Sequence, residues 1–107
     1  MNNYQKKQEK TTYTSLSSTQ WIDVTITPDS GETIAITDIF LSSDTGTAKQ
    51  QVRQYDGSTS ETLLIFNTGG DRTESVNLSQ PIFLKQGYRL QINASAASHA
   101  TINYFVI

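Results

Sequence analysis

The chain is 107 residues long, 36% hydrophobic and free of cysteine, with a formal net charge of −2. That length fits one domain, and without cysteine neither a disulfide framework nor a thiolate zinc site can supplement its core. Lys6, Lys7 and Lys10 against Glu9 give residues 1–10 a charge of +2, and the five basic and nine acidic residues beyond them leave a body of −4 that argues against nucleic acid as a partner.

Met1–Lys10 has no apolar periodicity and reads as a flexible N-terminal arm, so the domain is expected over residues 11–107. From Thr11 onward, short β-rich runs alternate with turn residues at the spacing of sandwiches and barrels. Thr11–Leu16 is the first expected strand, with Tyr13 available for burial. Trp21–Thr27 alternates, placing Ile22, Val24 and Ile26 on one face and Asp23 and Thr25 on the other. Pro28-Asp29-Ser30-Gly31 makes a turn, since proline fixes φ and glycine accepts a positive one. Thr33–Ser42 loses phase midway: Ile34 and Ile36 share a face, but Asp38 falls next on it while Ile39 and Leu41 are apolar. A β-bulge near Thr37-Asp38 restores the alternation, a bend common where a strand crosses between two sheets.

Ser43-Asp44-Thr45-Gly46 closes that run. Lys49–Tyr55 follows, with Val52 as its clearest inward residue. Asp56-Gly57 signals a hairpin into Thr62–Phe66, where Leu63 and Ile65 lie opposite Leu64 and Phe66. After a turn at Gly69-Gly70-Asp71, Glu74–Leu78 and Gln80–Leu84 are separated near Pro81, which suits a sheet edge or a strand start. Gln86-Gly87 turns into Tyr88–Ala94, with Leu90 and Ile92 inward. Ala100–Ile107 ends the chain with Ile102, Tyr104 and Val106 on one face. No segment sustains a 3.6-residue period.

These runs predict an all-β fold, an antiparallel two-sheet sandwich of 7–9 strands. A jelly-roll-like order is preferred over an immunoglobulin-like one, whose Cys-Trp-Cys signature is absent. A domain this small buries only roughly 60–65% of its unfolded surface, which makes oligomerisation the natural route to further stability. No apolar run approaches a membrane span or a signal-peptide core, so neither membrane nor export is expected.

Chemistry is hard to place on this sequence. The sole histidine, His99, is expected in the loop of the last hairpin, and catalysis there would need a serine and a carboxylate to converge on it. Most of the ten acids fall in or beside turns, where Asp caps the backbone. The dense carboxylate spacing of a calcium loop, Gly-rich phosphate loops and metal-spaced His/Cys pairs are all absent. The expectation is a protein that is not an enzyme, with no catalytic residues, no metal and no cofactor.

Ile34–Ser43 (IAITDIFLSS), Pro81–Ala94 (PIFLKQGYRLQINA) and Ala100–Ile107 (ATINYFVI) resemble small β-sandwich proteins of tailed-phage virions, of the capsid decoration or cement type. The shared pattern is a strand with Thr-Asp-Ile, a Pro-Ile-x-Leu-x-x-Gly turn and a final aliphatic strand with a tyrosine. It covers about a third of the chain. The resemblance implies a homotrimer on the capsid surface of a virion, made in the host cytoplasm and bridging neighbouring major capsid proteins. Its partner-binding candidates are the arm lysines Lys6, Lys7 and Lys10, because an extended arm of ten residues reaches about 33 Å.

The competing class is a carbohydrate- or receptor-binding sandwich of a phage tail. It needs aromatic residues exposed on one face, and Trp21 and Tyr55 are the candidates.

Overall fold

Alternating side chains and glycine-bearing turns produce strands at nearly every position where the sequence pattern places one. The computed structural model describes residues 9–16, 20–43, 47–68 and 73–107, with the backbone alone given for 73–79. The strands are β1 (Lys10–Leu16), β2 (Ile22–Asp23), β3 (Ile34–Ser43), β4 (Ala48–Tyr55), β5 (Ser60–Thr68), β6 (Thr73–Phe83), β7 (Arg89–Ala94) and β8 (Ser98–Val106). They form two antiparallel four-stranded sheets, ordered β1-β8-β3-β6 and β2-β7-β4-β5. First and last strands pair, and the chain keeps passing from one sheet to the other, which is the jelly-roll order. Asp56-Gly57 is the turn of the β4–β5 hairpin, and Gly57 takes a φ of 106° that a side chain would resist.

The core lies between the sheets. Ile34, Ile36, Ile39 and Leu41 of β3 and Ile102 and Tyr104 of β8 meet Val52, Leu90 and Ile92 of the opposite sheet, all fully buried. The expected bulge is present. Ile36 pairs with Tyr104 and Asp38 with Asn103, so Thr37 is the extra residue, and its hydroxyl donates to the Asn103 carbonyl at 3.1 Å. β3 stays in one sheet, pairing with β6 and β8 on both sides of the bulge. On its β6 side, four residues (78–81) stand against Thr37 alone. The two runs expected around Pro81 therefore form one strand whose ladder is interrupted at that point.

Several expectations need correction. β2 keeps only two residues, because the Thr25 hydroxyl, not a backbone carbonyl, accepts the Leu90 N–H at 2.9 Å. The strand ends there, and Ile26, expected in the core, is 45% exposed with its N–H donated to the Tyr104 hydroxyl. In β5 the register slips between Val52↔Leu64 and Arg53↔Thr62, so Leu63 and Leu64 both pack on the core while Ile65 is left 53% exposed. Tyr13 is not buried: it pairs with Thr101 on the outside of β1, and Thr12, Thr14 and Leu16 take the inward positions. Lys10, counted with the arm, is the first residue of β1 and pairs with Tyr104. Lys6, Lys7 and the turns expected at 44–46 and 69–71 lie outside the described residues.

A small polar cluster is buried at the core's end. Gln50 donates through Nε2 to the hydroxyls of Thr68 (2.9 Å) and Ser98 (3.2 Å), tying β4 to β5 and to the other sheet's β8. Those hydroxyls donate onward to the carbonyls of Ala48 and Ala96, which fixes the amide's orientation and leaves Gln50 Oε1 without a partner.

Candidate functional site

Each sheet turns one face outward, and the two faces differ in kind. On the β2-β7-β4-β5 sheet, outward positions alternate with the core residues of β4 and β7 and carry Arg53, Tyr55, Arg89 and Gln91. The register sets Arg53 opposite Gln91 and Tyr55 opposite Arg89, while Asp23 lies across from Gln91 on the other side. Gln91 Oε1 accepts from Arg53 Nε at 2.9 Å and Nη2 at 2.7 Å. The same amide donates through Nε2 to Asp23 Oδ1 at 2.6 Å, and Arg89 Nε donates to that oxygen at 3.0 Å.

Rings close the cluster. The Arg53 guanidinium carbon sits 3.9 Å from the Trp21 ring centroid and 4.6 Å from that of Tyr55, and Arg89 lies 5.1 Å from the Tyr55 centroid. The two aromatics proposed from sequence are thus brought to one face by an arginine that sequence reasoning passed over. The signal lay in the i, i+2 spacing of Arg53 and Tyr55, which puts both on one side of a strand. That Arg89 and Gln91 would stand opposite them depended on register, which one strand's sequence does not carry.

The outward face of the β1-β8-β3-β6 sheet is different. Tyr13 is 66% exposed and Phe83 54%, with Phe40 and Phe105 also reaching the surface. Between them stand Thr11, Ser15, Thr101 and Ser42. The charged side chain described here is Asp38, whose Oδ2 accepts from Asn103 at 3.1 Å. His99, expected in a loop, is an outward residue of β8. Its ring stacks on Tyr13 at 5.6 Å, its Nδ1 lies 2.8 Å from the Tyr13 hydroxyl, and Ser15 is 3.4 Å away. The Ser15 contact is therefore at the limit of hydrogen bonding, and the Tyr13 contact is the shorter of the two.

Two exposed groups have displaced ionisation. The N–H groups of Thr59 and Ser58 donate to Asp56 and hold its carboxyl below the ordinary value of 3.8. Its hydrogen bond to Glu61 raises Lys85. Both belong to the end of the sandwich with the β4–β5 turn. Lys10 lies half-buried at the start of β1, away from the aromatic cluster's strands.

No protein-family model matches this chain, and no curated protein sequence matches it. Among solved structures, the Eiger TNF from S. frugiperda superposes with a TM-score of 0.55 at 15% identity, over 94% of this chain and 92% of that one. A protein of Bacillus endospore appendages, described as disulfide-linked pili, superposes with a TM-score of 0.50 at 14% identity, covering 94% of this chain and 87% of its own. At such identities the likeness is one of fold: this chain is an all-β jelly-roll sandwich of the same architecture.

Proposed function

We propose that the chain is a non-enzymatic structural protein that works by assembly, packing as a homotrimer through the outward face of its β1-β8-β3-β6 sheet. In its sharpest form the reading is a cement protein of a phage virion, seated on the capsid between major capsid proteins. The observation that carries it is the character of that face, where aromatic rings stand uncovered among threonine and serine. Interfaces are enriched in aromatic residues and poor in charge, and the charged side chain described on this face, Asp38, is already bonded to Asn103.

The occupants are further copies of this chain, three of which turn this face toward a common three-fold axis. Four strands about 4.8 Å apart and about nine residues long span on the order of 600 Å², close to the roughly 800 Å² each partner gives to a stable interface. A surface this poor in charge packs against further copies with little like-charge repulsion, which the acidic remainder of the body would not. The appendage protein of similar fold comes from disulfide-linked pili. This chain has no cysteine, so its copies must hold one another by non-covalent contact.

Light scattering at micromolar concentration tests the assembly, with a species three times the 11.9 kDa chain expected. A species of 11.9 kDa alone would remove the trimer. The cement reading further predicts a major capsid protein encoded by a neighbouring gene, and co-sedimentation of this protein with capsids built from it. Failure to bind those capsids overturns that reading. The recognition module then takes its place, supported by the meeting of Trp21 and Tyr55 on the opposite face.

A further inference from the structure

We infer that the outward face of the β2-β7-β4-β5 sheet binds an acidic saccharide, a glycan whose sugar rings carry carboxylates, through Trp21, Arg53, Tyr55 and Arg89. This face is separate from the one assigned to self-assembly, and the inference stands or falls on its own.

The guanidinium of Arg53 is set in place before any ligand arrives. Trp21 and Tyr55 cover it at 3.9 and 4.6 Å, and Gln91 Oε1 holds its Nε and Nη2. Gln91 is itself anchored by Asp23. Arg89 is fixed in the same way, by Nε on Asp23 and by the Tyr55 ring. None of these bonds uses Nη1 of Arg53 or either Nη of Arg89. Among the described residues, the buried polar atom left without a partner is Gln50 Oε1, so these nitrogens have access to solvent. Two guanidinium edges, already ordered and still able to donate, form a carboxylate receptor with little entropy left to lose.

Charge agrees with this. Against the two arginines stands the carboxylate of Asp23, bonded by Arg89 directly and linked to Arg53 only through Gln91, so these three groups keep a positive charge on a body that is otherwise acidic. Asp56 lies near enough for the Arg89 charge to help lower its pKa, but no hydrogen bond joins the two, and its Oδ1 accepts from the Ser58 and Thr59 N–H groups. An anion therefore gains where an uncharged ligand does not.

The ring chemistry selects the class of anion. Trp21 and Tyr55 remain half-exposed, with Gln51 and Asn93 turned outward on the same face. Aromatic surface suits the C–H side of a pyranose ring, amides suit its hydroxyls, and guanidinium edges suit its carboxylate. A peptide would need a free strand edge or a groove. The β4 and β7 backbones that carry three of these four residues are already paired on both sides.

Trp21 is the only tryptophan, so its fluorescence reports on this site alone. Titration at low ionic strength with the uronate tetramer tetragalacturonate is expected to give a saturable fluorescence change, and its neutral counterpart galactotetraose none. Arg53→Gln and Arg89→Gln should each weaken tetragalacturonate binding by on the order of tenfold, as loss of a charge-assisted contact implies. Melting temperatures confirm that the variants fold. If Arg53→Gln does not, Arg53→Lys, which keeps the charge but not the planar fork, should show the same weakening. The inference is overturned if tetragalacturonate gives no saturable change, if the arginine variants bind as the parent does, or if galactotetraose binds equally. Equal binding of a glutamate octapeptide would also overturn it, by showing a general anion surface.

Discussion

Tyr55 and Tyr13 both stand outward on a strand near the edge of its sheet, yet one is built into a cluster and the other is bare. What separates them is the residue across the ladder. Tyr55 faces Arg89 and has Arg53 two residues before it, so guanidinium groups lie against its ring. Tyr13 faces Thr101, too short to cover a ring, and its stacking partner is the neighbouring His99. On a sheet face, an aromatic residue becomes part of a fixed site or of an open contact surface according to its cross-strand partner.

The most severe way to break the comparison is to remove the core that supports both faces. Leu90→Ala, at a fully buried position between the sheets, should cost roughly 2–5 kcal/mol, seen as a lower denaturant midpoint with unchanged slope. Both faces would weaken together. A selective break comes from Tyr13→Ser combined with Phe83→Ser. It should dissociate the trimer in light scattering while changing the monomer's stability by less than about 0.5 kcal/mol per site, the range of surface substitutions. The mirror experiment is Arg53→Gln, which should leave the oligomer intact and cost about 0.5–1 kcal/mol, the scale of an exposed cation–π contact. Equal loss of assembly from both changes would show that the two faces are not independent.

The smallest effect is at the β4–β5 turn. Because N–H donors hold the folded Asp56 carboxyl below its ordinary value of 3.8, its contribution is present above that pH. It is lost as pH falls through the lower, folded value. The protection of the Ser58 and Thr59 amides, measured as exchange relative to the intrinsic rate at each pH, should therefore fall in acid in the parent, and should be low and independent of pH in Asp56→Ala.

Most of the architecture was legible because it rests on period-two alternation and on turn residues. The bulge at Thr37 could be read from the displaced phase of Ile36 and Ile39, and the hairpin at Asp56-Gly57 from its dipeptide. Ile26 and Ile65 were misplaced for a common reason: each follows a local departure from the ladder that leaves no mark in composition. At Ile26 a side-chain hydroxyl substitutes for a carbonyl, and at Ile65 one residue is inserted in β5. Gln50 was equally hidden, since a glutamine becomes a core residue only when hydroxyls such as those of Thr68 and Ser98 wait for it. Of the candidate site, the aromatic residues were visible and their arginine partners were not, because strand spacing is local and register is not.

Pro81 lies in β6, which among the described strands pairs with β3 alone and so forms one margin of its sheet. A margin is where a sandwich can polymerise, by accepting a strand from the next molecule and offering its own in turn. Pro81 has no N–H to donate, and the 78–81 interruption beside it breaks the straight row of donors that a guest strand would need. Strand addition is disfavoured along that margin, whereas the proposed trimer closes around its three-fold axis. If the proposed trimer forms, electron micrographs should show counted particles of uniform size rather than threads of indefinite length.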